Sequence, residues 1–227
     1  MQNSVLKNFF VTATSLLCIA GCATDIALLY IFGKQIPGYN HLTDSISSLG
    51  ITGSPVSEVV TAWSVSLGGI FILFGIGLQK AFGGHGKISG WASWLIIIYA
   101  LGEGVISGIF KADTINGELT RSALLHDILG GVGEVAVMLF PLVMMRIFKR
   151  ESMPALFRYS KAVAATGLLT TLMFAFRVEY FRNTFLNTYS GLWQRAFLLN
   201  FYVYFTVIAF VIIIKSNNFS QIKAYKL

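Results

Sequence analysis

The sequence predicts an all-α fold, namely a polytopic membrane helical bundle of six transmembrane helices. Charged residues make up 12% of the chain and hydrophobic residues 55%, whereas about a quarter of the residues in a soluble domain carry charge. The mean hydropathy is +0.70, and the apolar residues occur in long runs of the length that a bilayer requires. The length of 227 residues is compatible with a single domain, residues 1–227.

Six apolar runs are each long enough for a helix to cross the hydrocarbon core, which takes roughly 20 residues. Glycines and serines recur within them and favour close helix–helix contacts in lipid. Pro141, inside the fourth run, predicts a kink. The predicted spans are Asn8–Phe32, Ser57–Gln79, Trp91–Phe110, Leu124–Phe148, Tyr159–Phe176 and Ala196–Ile214.

The first run has a second interpretation, because Lys7 and the sequence Ile19-Ala20-Gly21-Cys22 resemble a lipoprotein signal with a lipid-accepting cysteine. The apolar run continues for ten residues beyond Cys22, up to Phe32. A processed lipoprotein turns polar after its cysteine, so the length of the run favours an uncleaved span.

The net charge of +7 reflects basic residues that cluster between the apolar runs. This placement indicates membrane topology and contact with anionic lipids rather than nucleic-acid binding. In a six-span chain the N-terminus, the second and fourth loops and the C-terminus lie on one side of the membrane, and the first, third and fifth loops lie on the other. The first side holds more Lys and Arg residues than the second. The positive-inside rule therefore places both termini in the cytoplasm.

With this topology, the first, third and fifth loops meet on the extracytoplasmic face, together with most of the unusual polar residues. The intramembrane carboxylates among these residues are costly in lipid and should face the bundle interior. We therefore predict that Glu103 and His126 both face the interior. Asp25, near the middle of the first span, should either point inward or be protonated for the same reason. We predict a polar pocket whose candidate binding residues are His41, Asp44, Ser45, Ser48, Glu103, Asp113, His126, Asp127, Arg177 and Arg195.

The first loop contains the stretch GYNHLTDSISSLG, residues 38–50. Asn40 is a suitable helix N-cap and Gly50 a suitable stop, and helical spacing separates the apolar residues from His41, Asp44, Ser45 and Ser48. The stretch is therefore either a short amphipathic helix at the membrane surface or a solvated loop with local Ser and Thr caps.

Three functions fit these observations. The pocket could bind a lipid headgroup or a small polar ligand. Alternatively, His41, Asp113 and His126 could hold a divalent metal such as zinc for hydrolysis of a lipid ester or amide; no HxxxH or HExxH spacing supports this. The chain could also be a structural subunit of a membrane complex. Membrane lipids are the expected partners, and a membrane-protein partner or a homo-oligomer stays open.

Several short motifs, in this order, resemble the bacterial and archaeal membrane family called domain of unknown function 998. They are Pro37-Gly38-Tyr39, Ile46–Gly50, Gly53-Ser54-Pro55, Gly108–Asp113, Leu125-His126-Asp127 and Gly191–Arg195. The resemblance covers about residues 10–214 and extends distantly to DRAM-like proteins. It implies a six-span protein of the cytoplasmic membrane of a prokaryote and supplies no activity.

Overall fold

The computed structural model describes residues 2–175 and 184–224 of the chain. Its long helices are α1 (Gln2–Lys34), α2 (Ser57–Ala81), α3 (Lys87–Tyr99), α5 (Arg121–Ile147), α6 (Pro154–Ala175) and α8 (Ser190–Ala224). Helix α3 continues through a π-helical segment, Ala100–Ile106, into the short α4, Ser107–Ile109. The remaining elements are a 3-10 turn at Ile46–Gly50, another at Gly83–His85, a hairpin of β1 (Thr114–Ile115) and β2 (Glu118–Leu119), and α7 (Phe185–Thr188).

Five segments in the described part of the chain are helical, long and apolar enough to cross a membrane: Leu6–Lys34, Ser57–Ala81, Lys87–Ile109, Arg121–Ile147 and Ser190–Ser216. Large apolar side chains cover their outer surface; Phe9 is 73% exposed and Trp91 66% exposed. A soluble protein rarely exposes apolar surface on this scale, whereas lipid accepts it. The helices therefore indicate an integral membrane protein, as predicted.

The sixth predicted span, Tyr159–Phe176, is not among these five. The structure does form a helix there, α6, and Phe176 itself lies outside the described residues. Arg158 and Lys161 stand in the first half of α6 and lower its hydropathy. The count of six spans is thus not confirmed.

Aromatic residues fill the centre of the bundle. The ring of Phe205 in α8 lies 5.4 Å from that of Phe71 in α2, 5.8 Å from that of Tyr99 in α3 and 5.8 Å from that of Phe140 in α5. These edge-on contacts join four helices around one residue. Such aromatic pairs contribute roughly 0.5–1.5 kcal/mol each beyond the apolar area that they bury.

Contacts between the ends of the helices define two sides of the bundle. On the side that we call the loop side, Leu192 at the start of α8 donates to the carbonyl of Leu42 in the first loop. On the opposite side, which we call the terminal side, Ser216 near the end of α8 accepts from Thr12 near the start of α1. Phe82, which follows α2, packs against Phe148, which follows α5, and Lys215 lies over the same Phe82 ring.

Of the two alternatives for residues 38–50, the first loop does not form an amphipathic helix that begins at Asn40. Asn40 caps a turn instead: its side chain accepts from the backbone of Leu42, and its own N–H donates to Asp44. Helical structure begins only after Ser45 and ends at Gly50, as a 3-10 turn. Leu49 from this turn is fully buried and packs with Phe32 and Val56. The local Asx turn takes the hydrogen bonds that a longer helix would need.

Candidate functional site

A cavity of about 110 Å³ lies inside the bundle toward the loop side, between α1, α2, the π-helical segment, α5 and α8. Its walls are mostly apolar, but an unusual number of polar side chains reach it. Those that could engage a ligand are Asp25, Ser47, Glu103, Ser107, Lys111, His126, Glu134 and Gln194. Three of them are carboxylic acids, so the cavity is acidic in composition.

Asp25 lies at the deep end of the cavity and is 5% exposed. Its carboxylate accepts from the indole N–H of Trp63 at 2.7 Å and from the hydroxyl of Tyr202 at 2.9 Å. These bonds join α1 to α2 and α8. The prediction that Asp25 points inward is confirmed, and its two donors offset much of the cost of burying a carboxyl group.

Glu103 enters the cavity from the π-helical segment. This type of helix is rare and is found mostly as single turns at functional sites. The segment fits between α2 and α5 because the residues on either side of Glu103 are glycines. A Cβ atom on Gly104 would lie 2.7 Å from Gly68 Cα, and one on Gly102 would lie 2.5 Å from the carbonyl oxygen of Leu129. The glycines therefore let the segment pack directly on α2 and α5.

The carboxylate of Glu103 makes no hydrogen bond to any residue in the described part of the chain. The buried hydroxyl of Ser107 beside it also has no protein partner there. A Cβ atom on Gly130 would lie 2.8 Å from Glu103 Oε1 and 2.8 Å from Ser107 Oγ, which places both groups at the same point of α5. A carboxyl and a hydroxyl are thus available to a ligand at one wall.

His126, on α5, forms the rim of the cavity with Ser47 from the first loop. Its Nδ1 lies 3.1 Å from the carbonyl oxygen of Ser107 and 2.9 Å from that of Phe110. Carbonyl oxygens only accept, so Nδ1 carries a proton. In the neutral ring Nε2 is then the acceptor, and it lies 3.1 Å from the hydroxyl oxygen of Ser47. The fold therefore fixes the tautomer of this histidine.

Lys111 closes the loop-side end of the cavity. Its ammonium donates to Ser57 Oγ and to Thr61 Oγ1, each at 2.7 Å. Glu58 lies 3.8 Å away but is largely exposed. Lys111 is thus held against α2 by hydroxyl groups, and it places one positive charge above three acids.

A second polar cluster lies on the loop side outside the cavity and contains Tyr39, His41, Asp44 and Arg195. Arg195 donates to the carbonyl of Asp44 at 2.9 Å and to the hydroxyl of Tyr39 at 2.5 Å. His41 stacks on Tyr30 with 5.3 Å between the ring centres. Burial, with the nearby charges of Arg195 and Lys34, lowers the pKa of His41. Burial also raises the pKa of the Tyr39 hydroxyl. This cluster fastens the first loop to α8.

Asp113 stands apart from both groups. Its two carboxylate oxygens accept from the N–H of Thr52 at 2.8 Å and from the hydroxyl of Thr52 at 2.5 Å. These bonds to Thr52 lower the pKa of Asp113. The side chain is largely solvated, and its contact joins the first loop to the segment that leads into the β1–β2 hairpin. Its arrangement is that of a structural link between two loops.

The predicted site residues therefore do not form one pocket. Glu103 and His126 line the cavity, which confirms that both face the bundle interior. His41, Asp44 and Arg195 form the outer cluster. Ser45 and Ser48 bond to each other at the start of the 3-10 turn, and Asp127 is exposed on α5. Arg177 lies outside the described residues.

The predicted metal set of His41, Asp113 and His126 is wrong for this structure. Each of the three is engaged by different partners, and no group of three or more His, Cys, Asp or Glu side chains in the described ranges could hold a metal ion. The prediction rested on a shared face of the membrane. Residues that share a membrane face have a similar depth in the membrane, but they can still lie far apart in the plane of the membrane. The 3-10 turn at Ile46–Gly50 lies between His41 and His126.

Several cavity residues were missing from the predicted site. Ser47 was overlooked because a helix beginning at Asn40 would have turned it away from the polar stripe. Lys111 and Gln194 belong to polar segments that the sequence does show, and Glu134 lies within the fourth apolar run, but whether they reach one cavity depends on how the helices pack. The glycine spacing in α2, the π-helical segment and α5 is the signal that could have identified the enclosed wall.

The fold defines a helical membrane protein with a cavity between its helices. Residues 19–211 match the family model described as "Protein of unknown function (DUF998)". The chain belongs to this family, which confirms the resemblance seen in the sequence. No curated protein and no solved structure matches the chain.

Proposed function

We propose that the chain binds a small polar ligand that carries an amine, such as an amine-bearing lipid headgroup, in the cavity between its helices. The observation that carries this proposal is the buried hydroxyl of Ser107, which has no hydrogen-bond partner among the described residues, beside the Glu103 carboxyl group on the cavity wall. Asp25 and Glu134 line the same space. An ammonium group supplies the donors and the positive charge that the Glu103 carboxylate accepts.

The remaining walls also suit such a ligand. Trp63, Phe71, Tyr99 and Tyr202 surround the acids, and aromatic faces attract ammonium groups. Lys111 at the loop-side end can meet an anionic part of the same molecule, as in a zwitterionic headgroup. The volume of about 110 Å³ restricts the occupant to a small group rather than a whole lipid.

Ligand binding is tested by comparing ethanolamine with acetate on the purified protein in detergent, with thermal stability and calorimetry as readouts. Ethanolamine is expected to bind and acetate is not. Loss of one charge-assisted bond of about 1.5–3 kcal/mol predicts that Glu103→Gln weakens binding roughly 10- to 100-fold. Glu118→Gln, in the exposed hairpin, is the matched control. Equal binding by both variants, or preference for acetate, would refute the proposal.

We infer a second candidate activity, hydrolysis of an ester without a metal, from the geometry of Ser47 and His126. A nucleophile next to a base that a third group orients is the arrangement of hydrolytic enzymes, and backbone carbonyls orient His126. Ser47 Oγ would attack the ester carbonyl while its proton passes to Nε2. That proton then leaves with the alcohol, and water releases the acid from the acyl-serine. A fluorophosphonate probe that labels wild type and His126→Gln equally, or neither, would exclude this activity.

We also propose that α6 is the sixth span. Helix α5 ends on the terminal side and α8 begins on the loop side, so residues 148–189 must cross the bundle. The 22 residues of α6 have a helical length of about 33 Å, enough for the hydrocarbon core. Ser160 in α6 bonds to Tyr204 in α8 at 2.7 Å, which gives the helix a protein partner at one of its polar positions.

The basic residues support an orientation with both termini in the cytoplasm. From the family resemblance we propose that the membrane is the cytoplasmic membrane of a prokaryote. The cavity then opens toward the outside. Reporter fusions after Lys87 and Arg150 should report the cytoplasm, and fusions after Thr52 and Asn116 the exterior. The reverse pattern would place the cavity on the cytoplasmic face.

A further inference from the structure

A second cavity, of about 370 Å³, lies on the terminal side, at the opposite end of the bundle from the acidic chamber. One lysine reaches it from each of three helices: Lys7 from α1, Lys80 from α2 and Lys215 from α8. The floor between them is formed by Gly83 and Gly84, where an added Cβ atom would meet nothing within 4 Å. Three positive charges therefore surround an open space.

Within the part of the chain that the structure describes, these lysines have no acidic partner. No Asp or Glu side chain lines the cavity, and in residues 2–175 and 184–224 none of the three ammonium groups lies within ion-pair distance of a carboxylate. Lys80 lies over the ring of Phe10 at 5.8 Å and Lys215 over the ring of Phe82 at 4.7 Å. The rings hold the side chains in place without neutralising them, so the cavity keeps a net positive charge that an anion would balance.

The rest of the wall is apolar and includes Val11, Ala81 and Ile212. A free anion gains nothing from such a wall, whereas a molecule with both a charged group and a hydrocarbon chain uses both. The cavity also lies at the ends of three membrane-spanning helices, where the headgroups of a bilayer are found. Basic pockets between transmembrane helices are a recognised form of lipid headgroup site.

We propose that this lysine cavity binds the phosphate group of an anionic phospholipid, with the lipid chain along the apolar wall. The site is separate from the acidic chamber and does not depend on the function proposed for it. Inorganic phosphate shares the chemistry of the headgroup but lacks the chain, so the two sources can be distinguished by experiment.

The test uses the purified full-length protein, stripped of lipid in a neutral detergent. Binding of phosphatidylglycerol and of phosphatidylcholine is measured by native mass spectrometry, with and without inorganic phosphate as competitor. We expect a preference for phosphatidylglycerol that phosphate at equal concentration does not remove. Loss of one charge-assisted contact predicts that Lys80→Gln and Lys215→Gln each weaken phosphatidylglycerol binding about tenfold or more.

The matched control is Lys161→Gln, which removes the same charge from an exposed position on α6 and should leave lipid binding unchanged. Thermal stability of each variant verifies that it is folded, and if Lys215→Gln fails to fold, Lys80→Gln carries the comparison. Equal binding of the two lipids, or equal loss in all three variants, overturns the proposal. Displacement of the lipid by inorganic phosphate would overturn the lipid assignment and identify the cavity as a site for free anions.

Discussion

The contact of α2 with the π-helical segment can be tested by adding one methyl group. A Cβ atom at Gly68 would lie 2.8 Å from the side chain of Val105 and 2.9 Å from the carbonyl oxygen of Ala100. Ordinary contacts of this kind begin near 3.4 Å, so in Gly68→Ala the two backbones must separate by roughly half an ångström. Overpacking of this kind costs about 1–3 kcal/mol.

The next residue provides the control. At Gly69 an added Cβ atom would meet nothing within 4 Å. Both glycines are in the interior of α2, so both alanine variants gain the same helix propensity, about 0.5–1 kcal/mol. The difference in unfolding free energy between Gly68→Ala and Gly69→Ala then isolates the clash. We expect Gly69→Ala to be the more stable variant by about 1–3 kcal/mol.

The assay is unfolding of the purified protein by sodium dodecyl sulfate in mixed micelles, followed by tryptophan fluorescence. The structure also predicts a second readout, because Gly68 packs on the segment that carries Glu103. Gly68→Ala should weaken ethanolamine binding, whereas Gly69→Ala should leave it near that of the wild type. Equal stability of the two variants would refute the reasoning, since the close approach of the helices would then be absent.

Three further predictions concern other contacts. Asp25→Ala leaves an indole and a phenol without their acceptor and should lower the unfolding free energy by about 1–3 kcal/mol; a loss below 0.5 kcal/mol would contradict it. Thr120→Ala removes the N-cap bond to Ala123 and should cost about 1 kcal/mol in the same assay; an unchanged unfolding free energy would contradict it. Because the pKa of His41 is lowered in the fold, the unfolded chain binds this proton at higher pH, and stability should fall as pH drops below about 6.5. His41→Gln should reduce that acid sensitivity in unfolding curves at pH 7.5 and 5.5, and an unchanged slope would count against it.

The sequence predicted the helices well because lipid imposes length and composition on them. The inward position of Asp25, Glu103 and His126 followed from the cost of exposing such groups to lipid. The first loop was predicted less well. A pattern of two helical turns in residues 40–50 fits a helix, but Asn40 and Asp44 bond locally and leave only the 3-10 turn after Ser45.

The candidate site was predicted in part, for a related reason. Periodicity and topology set the depth and the face of each residue, but which helices are neighbours depends on packing. Glu103 and His126 were therefore correctly directed inward, while His41 and Asp113 were wrongly assigned to the same group. The π-helical segment could not be read from the hydropathy, since Ala100–Ile106 extends the apolar run of α3 with Glu103 as its one charged residue.

The π-helical segment also determines which changes of chain length this protein can accept. A π turn accommodates an extra residue while the helix on either side keeps its phase. Deleting one residue within Ala100–Ile106 should therefore restore an ordinary α-helix, with α3 and α4 still meeting their neighbours, although the acid of the cavity wall would be displaced. The same deletion near Gly69 in α2 would rotate everything beyond it by about 100°. Within the membrane-spanning helices, natural variation in length among relatives of this chain should accordingly concentrate in residues 100–106, whereas the loops accept it more freely.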